Sequence, residues 1–232
     1  MDAVIMAAGL GTRLRPHTLS VPKPLLPVQG RPLLDWALGA LPPAIDRVLV
    51  VVHYLGEQIE AYLRQQRHVA HAEVVWQKEP RGTGDALLSC RDRLQGGSFL
   101  VCNGDDLYGA ADLARMVSHR VAMLCAPVTE PHKFGIATTR EDGSLEQLIE
   151  KPLHLQGTQL ANAGVYTFPA EVFEIPLTLS PRGEYEITQY VSELARRGRV
   201  MVERATFWLP IGDIPAWEAA QQAELSAVLR GG

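Results

Sequence analysis

Continuous apolar runs alternate with segments of helical periodicity along the first half of the chain. Residues 3–7 and 48–52 are unbroken apolar runs, as is typical of strands covered on both faces. Between them, apolar side chains recur at positions 33, 34, 37, 38 and 41, the spacing of one helix face. The predicted elements are, in order, strand 3–7, helix 32–41, strand 48–52, helix 55–66, strand 73–77, helix 83–94 and strand 98–102. This order predicts parallel strands joined by right-handed helical crossovers.

The second half of the chain has a less regular pattern. Its predicted elements are helix 107–118, strands 121–128, 135–139, 145–150 and 163–168, and helices 186–197 and 215–229. We therefore expect an α/β fold: a Rossmann-like, doubly wound three-layer sandwich with a mostly parallel central sheet and a mixed second half. Because no low-complexity linker interrupts the sequence, we predict one domain over 1–232, with a wound half at 1–118 that handles one ligand and a mixed half at 119–232 that handles another.

Charge and composition narrow the range of partners. The chain has 232 residues, with 22 Lys and Arg against 26 Asp and Glu, so its net charge of −4 offers no basic field for a nucleic-acid backbone. Its apolar runs fall far short of the roughly 20 residues that span a bilayer. The sequence thus predicts a soluble, cytoplasmic protein with neither a nucleic-acid nor a membrane partner. Cys90, Cys102 and Cys125 lack metal-site spacing and are predicted to be buried thiols.

A glycine-rich turn directly follows the first strand. Gly9 and Gly11 lie where the carboxyl end of a parallel strand binds ligands in open α/β sheets, and Arg13 offers a charged fork that suits a triphosphate. A GxG pair alone is also compatible with a simple tight turn. The dinucleotide fingerprint fails because Leu14 replaces its third glycine, and no Walker pattern is present. Further along, Lys23 stands between two prolines, whose stiff backbone can aim its ammonium group at a phosphate.

The stretch over 7–34, AAGLGTRLRPHTLSVPKPLLPVQGRPLL, resembles the signature of the sugar-1-phosphate nucleotidylyltransferases. Further motifs follow in the family's order: Gln77 with Gly82-Thr83-Gly84-Asp85-Ala86, Asn103-Gly104-Asp105, Phe134-Gly135, Ile149-Glu150-Lys151-Pro152, Asn162-Ala163-Gly164-Val165-Tyr166, Gly183 to Thr188, and Trp208 to Asp213. The resemblance covers nearly the whole chain. It implies an enzyme in which a sugar 1-phosphate oxygen attacks the α-phosphorus of a nucleoside triphosphate and pyrophosphate leaves.

The resemblance also implies that 1–118 is the nucleotide-binding half and 119–232 the sugar-phosphate-binding half, and it assigns roles to residues of this chain. It implies that the catalytic residues are Arg13, Lys23 and Asp105. The implied nucleotide-binding residues are Ala8, Gly9, Gly11, Thr12, Arg13, Gln77, Gly82 and Thr83. Sugar-phosphate binding falls on Gly135, Glu150, Lys151 and Asn162. The cofactor is expected to be Mg2+, held by Asp105 and Asp213, since hard oxygen ligands and phosphates suit this ion. Asp106 extends the motif to Gly-Asp-Asp, and the sequence is compatible with either a supporting group or a helix cap at this position.

Several alternatives remain open from the sequence. One is a non-catalytic relative that senses a nucleotide or sugar, although such proteins commonly lose the lysine or metal acid that this chain retains. Others are a guanylyltransferase, or a cytidylyltransferase that acts on an alcohol phosphate. Gln77 with the 82–84 turn favours UTP or dTTP, because an amide can donate and accept toward one edge of a pyrimidine. The sequence does not select one sugar, and a homo-oligomer is compatible with it.

Overall fold

The computed structural model describes residues 1–229; the last three residues of the predicted domain, 230–232, lie outside the described residues. The strands are β1 (Asp2–Met6), β2 (Pro27–Val28), β3 (Arg31–Pro32), β4 (Arg47–Val52), β5 (His71–Trp76), β6 (Ser98–Asn103), β7 (Asp106–Tyr108), β8 (Ala122–Val128), β9 (Gly135–Thr139), β10 (Leu145–Glu150), β11 (Gln159–Pro169), β12 (Met201–Arg204) and β13 (Trp208–Pro210). The helices are α1 (Leu33–Ala40), α2 (Gly56–Leu63), α3 (Thr83–Leu88), α4 (Ala110–Met116), α5 (Ile187–Arg197) and α6 (Ile214–Ala220).

The main sheet has nine strands and runs through both halves of the chain. Its central path is β10-β9-β11-β6-β1-β4-β5, and β8 and β12 extend it from β11. Strands β6, β1, β4 and β5 are mutually parallel. Strand β11 pairs antiparallel with β6, β8 and β9, whereas β12 lies parallel to β8. The predicted Rossmann-like α/β fold, with a wound first half and a mixed second half, is confirmed.

The core lies in two layers, one on each face of this sheet. Along β1, Ala3 and Ile5 face one apolar cluster while Val4 faces the other, as the alternation of a pleated strand requires. Helices α1 and α4 cover the first face, and α3 and α5 cover the second. Because both faces are covered, the interior positions of β1, β4 and β6 are apolar without alternation, which explains the continuous runs in the sequence.

Three predicted helices are shorter than the periodicity indicated. The helix predicted over 83–94 ends at Leu88 and continues as tight turns. The helix predicted over 107–118 is instead β7, which pairs with β13, followed by α4 from Ala110. The helix predicted over 215–229 ends at Ala220. For 107–118, the pairing of β7 with a strand about a hundred residues later replaced the start of the predicted helix.

The structure also shows the state of the three cysteines and the character of the helices. The three cysteines are free and buried, as predicted. Among the helices described over residues 1–229, none combines the length and the apolar character needed to cross a membrane.

Candidate active site

The glycine-rich turn forms a pocket at the carboxyl edge of the parallel strands. The pocket encloses about 210 Å3 and is lined by Met6, Ala7, Gly9, Gly11, Thr12, Arg13, Leu14, Lys23, Pro24, Asp105 and Gly212. Gly11 has a φ of 61°, and a Cβ atom there would lie 2.9 Å from the Thr18 Cγ2 atom. The Thr18 hydroxyl in turn donates a hydrogen bond to the Gly11 carbonyl at 2.8 Å. The turn is therefore closed around a residue that cannot carry a side chain without displacing its neighbours.

An ion pair between Lys23 and Asp105 lies in this pocket. The Lys23 Nζ atom is 2.7 Å from the Asp105 Oδ2 atom, and the lysine side chain is only 9% exposed against 38% for the aspartate. Gly104 sets the position of Asp105, because its N–H donates to the Met6 carbonyl and a Cβ there would meet the Ile5 Cγ2 atom at 2.7 Å. A buried ammonium group beside a more exposed carboxylate gives the pocket both a fixed cation and an oxygen ligand.

Asp106 has a structural role that the sequence did not reveal. Its carboxylate accepts hydrogen bonds from the Trp208 indole N–H and from the Ile211 backbone N–H, both at 3.2 Å. Burial, and secondarily the charge of Asp105, raises the pKa of Asp106 to about 7. Asp106 thus anchors the segment from Trp208 to Ile211 beside the pocket. Only its position next to Asp105 in a Gly-Asp-Asp sequence could have indicated this.

The anchored segment brings the C-terminal part of the chain to the glycine-rich turn. Gly212 lines the pocket, and a Cβ atom at that position would lie 3.6 Å from the Arg13 Nη1 atom. Asp213 follows, exposed to solvent, and its Oδ1 atom accepts a hydrogen bond from the Ala216 N–H at the start of α6. Arg13 is therefore gathered into the pocket with Lys23 and Asp105. Asp213 lies next to a pocket residue in the chain and caps a helix.

Gln77 follows β5 at the same edge of the sheet and is almost fully buried. Its Nε2 atom lies 2.8 Å from the Asp85 Oδ2 atom and 3.3 Å from the Gly82 carbonyl oxygen. The Arg81 guanidinium contacts the other oxygen of Asp85 at 2.6 Å. The Thr83 hydroxyl accepts a hydrogen bond from the Ile187 N–H at 3.0 Å, so this side chain holds the start of α5. The structure thus gives the Gln77 and Thr83 side chains partners within the protein.

The residues predicted to bind the sugar phosphate converge on the mixed half of the sheet. A Cβ atom at Gly135 would lie 3.0 Å from the Glu150 Oε2 atom and 3.8 Å from the Asn162 Cβ atom. Asn162 donates to the Tyr166 hydroxyl at 2.7 Å and accepts from the Gly164 N–H at 3.0 Å. Gly135, Glu150 and Asn162 are therefore neighbours in the structure.

The Glu150 carboxylate also has two cationic neighbours. The Lys151 Nζ atom lies 3.9 Å from the Glu150 Oε1 atom, and the Arg182 Nη2 atom lies 3.3 Å from the same oxygen. Arg182 also pairs with Glu186 at 3.0 Å. Sequence reasoning did not identify Arg182, because it lies in an irregular segment before α5 and carries no motif of its own.

The structure does not gather every predicted residue around one pocket. Gly9, Gly11, Thr12, Arg13, Lys23 and Asp105 line it together. Ala8 instead packs against the apolar cluster on the second face of the sheet. The base-recognition and sugar-recognition residues lie outside the lining of the pocket. The former follow β5 and begin α3, whereas the latter lie on or directly after β9, β10 and β11.

A metal ion in this pocket would take few ligands from the protein and would be held mainly by the phosphates of a bound ligand. Within residues 1–229, no group of three or more His, Cys, Asp or Glu side chains is arranged to hold a metal ion. Asp105 nevertheless presents a partly exposed carboxylate in a pocket that also holds the cationic side chains of Arg13 and Lys23. Mg2+ typically takes one or two protein carboxylates and completes its coordination with phosphates and water. The donor set therefore fits Mg2+ only together with a phosphate-bearing ligand.

Comparison with known proteins identifies the family. The model of the nucleotidyl transferase family matches residues 2–227, so the chain belongs to this family, as the sequence resemblance implied. The chain is 32% identical over 215 residues to the bifunctional protein GlmU of Methanocaldococcus jannaschii, covering 91% of this chain and 51% of that protein. It is also 32% identical to the UTP–glucose-1-phosphate uridylyltransferase AglF of Haloferax volcanii, covering 87% of this chain and 86% of that protein.

A third relative shows that the nucleotide differs within this group. The mannose-1-phosphate guanyltransferase beta-A of Xenopus laevis is 32% identical to this chain over 225 residues, covering 91% of this chain and 61% of that protein. The chain spans about half the length of the GlmU proteins that it matches. The family is therefore established, whereas the relatives' names point to more than one nucleotide and sugar.

Solved structures support the fold. A UDP-glucose pyrophosphorylase complexed with UDP-glucose superposes with a TM-score of 0.86 at 22% identity, covering 95% of this chain and 97% of that chain. A putative glucose-1-phosphate thymidylyltransferase from Bacillus anthracis superposes with a TM-score of 0.83 at 24% identity, covering 100% of this chain and 97% of that chain. At this level of identity, the two superpositions show a shared fold.

Proposed function

We propose that the chain is a sugar-1-phosphate nucleotidylyltransferase that joins a nucleoside triphosphate to a sugar 1-phosphate. The observation that carries the proposal is the buried ammonium group of Lys23 beside Asp105 and Arg13, in a glycine-lined pocket at the carboxyl edge of parallel strands. An oxygen of the sugar phosphate attacks the α-phosphorus in line. A new oxygen–phosphorus bond forms as the bond to the bridging oxygen breaks, and pyrophosphate leaves with its electron pair.

The protein's contribution to this reaction is positioning and charge neutralisation. Backbone N–H groups at Gly9 and Gly11 approach the triphosphate closely, and Arg13 holds the part that leaves as pyrophosphate. Lys23 stabilises the negative charge on the α-phosphate during the attack. The Lys23 ammonium group is buried and held in place before the substrates bind, and a single preorganised contact of this kind contributes about a hundredfold or more in rate. A covalent intermediate on the protein is not required.

Mg2+ belongs to the proposal as the cofactor, with Asp105 and Asp213 as its protein ligands. Once bound, the ion supplies Lewis-acid neutralisation of phosphate charge. Asp105 is supported by its exposed oxygen in the pocket, and Asp213 by its place one residue after Gly212. Before the substrates bind, the Lys23 ammonium group pairs with the Asp105 carboxylate and holds it in place.

We assign the remaining recognition to two regions. Gln77 with Gly82 binds the base, with UTP or dTTP preferred. On the sugar side, Glu150 and Asn162 bind sugar hydroxyls or an N-acetyl group near Gly135, and Lys151 faces the sugar phosphate. A cytoplasmic location is part of the proposal, and three free, buried thiols are compatible with a reducing compartment. Self-association into a homo-oligomer remains compatible with this reading.

Pyrophosphate release tests the reaction directly. UTP, dTTP, GTP, CTP and ATP are each combined with glucose-, N-acetylglucosamine-, N-acetylmuramic acid- and mannose-1-phosphate in the presence of Mg2+. We expect release that requires both a pyrimidine triphosphate and one sugar phosphate. The Lys23→Ala and Asp105→Ala variants should lower kcat at least about a hundredfold, while Arg120→Ala, which removes an exposed cation paired with Glu171, serves as the control.

Two results would contradict the proposal. Near-normal turnover in either pocket variant would show that the Lys23–Asp105 pair is not part of the reaction. Absence of release across the whole grid, from protein that still binds nucleotide, would favour the non-catalytic sensing role instead.

A further inference from the structure

The Gln77 carboxamide has a fixed orientation. Its Nε2 atom contacts the Asp85 Oδ2 atom and the Gly82 carbonyl, and both of these oxygens are acceptors. Rotating the amide by half a turn would place the Oε1 atom against the same two oxygens, with no proton between them. An amide nitrogen has two N–H groups, so both donors of Gln77 are already used within the protein.

The amide oxygen of Gln77 is the atom that remains for a ligand. Within residues 1–229, Gln77 Oε1 accepts no hydrogen bond, and no fully buried side-chain oxygen or nitrogen lacks a partner. Gln77 is only 3% exposed, and its Oε1 atom must therefore account for part of that small exposure. The chain thus presents an acceptor at this place, where a free glutamine could present either a donor or an acceptor.

Asp85 maintains this arrangement and is itself held by Arg81. The Asp85 side chain is only 10% exposed, and its second oxygen accepts from the Arg81 Nη2 atom at 2.6 Å. Arg81 also lies over the Tyr185 ring, with its Cζ atom 5.6 Å from the ring centroid. With one oxygen paired to Arg81, the other oxygen of Asp85 accepts from one Gln77 N–H and so holds the carboxamide nitrogen on this side.

We propose that Asp85 is a positioning residue that fixes the hydrogen-bonding face of Gln77 and thereby makes the site select uracil or thymine over cytosine. This inference rests on the proposed function, in which Gln77 and Gly82 meet the base. Uracil and thymine carry an N3–H donor that matches an acceptor oxygen, whereas the N3 of cytosine is itself an acceptor. The Gly82 N–H, which donates no hydrogen bond within residues 1–229, is the complementary donor for the neighbouring O4.

The experiment measures nucleotide binding, so it does not depend on turnover. Dissociation constants for UTP and CTP are determined by isothermal titration calorimetry with Mg2+ and without sugar phosphate. In Asp85→Asn, the new amide can donate to Gln77 Oε1 and permit the rotated carboxamide. We expect the preference for UTP over CTP to fall by about tenfold or more, the worth of one charge-assisted hydrogen bond.

Matched variants separate positioning from a general loss of structure. Glu79→Gln removes an exposed carboxylate 4.0 Å from Arg81 without touching Gln77, and should keep the wild-type preference. Gln77→Ala should lose the preference, and adding Asp85→Asn to it should change the preference no further. If Asp85→Asn does not fold, Arg81→Gln loosens Asp85 from its exposed side and should weaken the preference in the same direction.

The outcomes distinguish this inference from the proposed function. A wild-type protein that prefers UTP, together with an Asp85→Asn variant that retains the full preference, overturns the inference and leaves the proposed function standing. A wild-type protein that binds CTP at least as well as UTP also overturns the inference. A protein that binds no nucleoside triphosphate overturns both.

Discussion

At the scale of single residues, the pocket depends on where side chains are missing as much as on where they are present. Gly11 brings the turn against Thr18 and Lys23, since a Cβ atom there would lie 2.9 Å from Thr18 Cγ2 and 3.2 Å from Lys23 Cβ. The residue that packs the turn therefore also borders the lysine that pairs with Asp105. At this position the residue type, the local backbone and the geometry of the Lys23–Asp105 pair are coupled.

The Gly11→Ala variant tests this coupling. Its φ of 61° lies in the left-handed region, which costs a non-glycine residue about 1–2 kcal/mol, and the new Cβ must also displace Thr18 or Lys23. We expect the free energy of unfolding in urea to fall by about 1–2 kcal/mol and pyrophosphate release to slow, because Lys23 shifts relative to Asp105. Gly97→Ala is the matched control, since its Cβ meets nothing within 4 Å and its φ lies outside the left-handed region. Equal stability of the two variants would contradict the argument.

At the scale of elements, two buried carboxylates position the segment before α6: Asp106 holds Trp208 and Ile211, and Asp112 holds the residues just before them. Asp112 on α4 is fully buried and accepts hydrogen bonds from the Thr206 N–H at 2.9 Å, the Phe207 N–H at 3.0 Å and the Thr206 hydroxyl at 2.8 Å. The Arg115 guanidinium donates to it at 2.8 Å. Asp112 thus fixes the chain that continues through β13 to Gly212 beside Arg13.

In the Asp112→Asn variant, one acceptor oxygen becomes a donor that faces N–H, O–H or guanidinium groups. We expect a loss of about 2–3 kcal/mol in the free energy of unfolding, as for hydrogen bonds to a buried charge. Pyrophosphate release should also fall, since the segment that carries Gly212 and Asp213 loses one of its two carboxylate anchors. Asp92→Asn, a change at an exposed acid, serves as the control and should unfold at the wild-type urea concentration. An Asp112→Asn variant with wild-type stability and activity would show that β13 is held without this anchor.

The strands and the site residues differ in how far they could be predicted from the sequence. Strands β1 and β4 were predicted because a strand covered on both faces must be apolar at each position, which is a local signal. Strands β7 and β13 were missed, since each has three residues and exists through pairing across a hundred positions. The pocket residues from Gly9 to Lys23 were predicted from a dense motif. The anchoring roles of Asp106 and Asp112, and the contact of Arg182 with Glu150, depend on partners that no local pattern specifies.

At the scale of the whole molecule, the two predicted halves share one sheet. Strand β6 pairs with β1 on one side and with β11 on the other, so the last strand of the parallel set is also the first partner of the mixed set. The apolar cluster on each face likewise includes residues from before and after position 118. Separating the two halves would break the pairing of β6 with β11 and expose the apolar side chains that both halves contribute to each cluster. We therefore expect the chain to unfold as one cooperative unit, in keeping with the predicted single domain.

The three cysteines are natural probes of this cooperativity. Cys90 and Cys102 lie in the first half and Cys125 in the second, all are buried, and burial raises the pKa of each thiol to about 12. At pH 8 the native protein should therefore react slowly with a thiol reagent, because the thiolate is scarce and inaccessible. Along a urea series, mass spectrometry of the labelled peptides should show all three thiols becoming reactive at one midpoint, the midpoint of the circular dichroism transition. If Cys125 becomes reactive at lower urea than Cys90 and Cys102, the halves are separate folding units, and the sheet junction between β6 and β11 does not couple them.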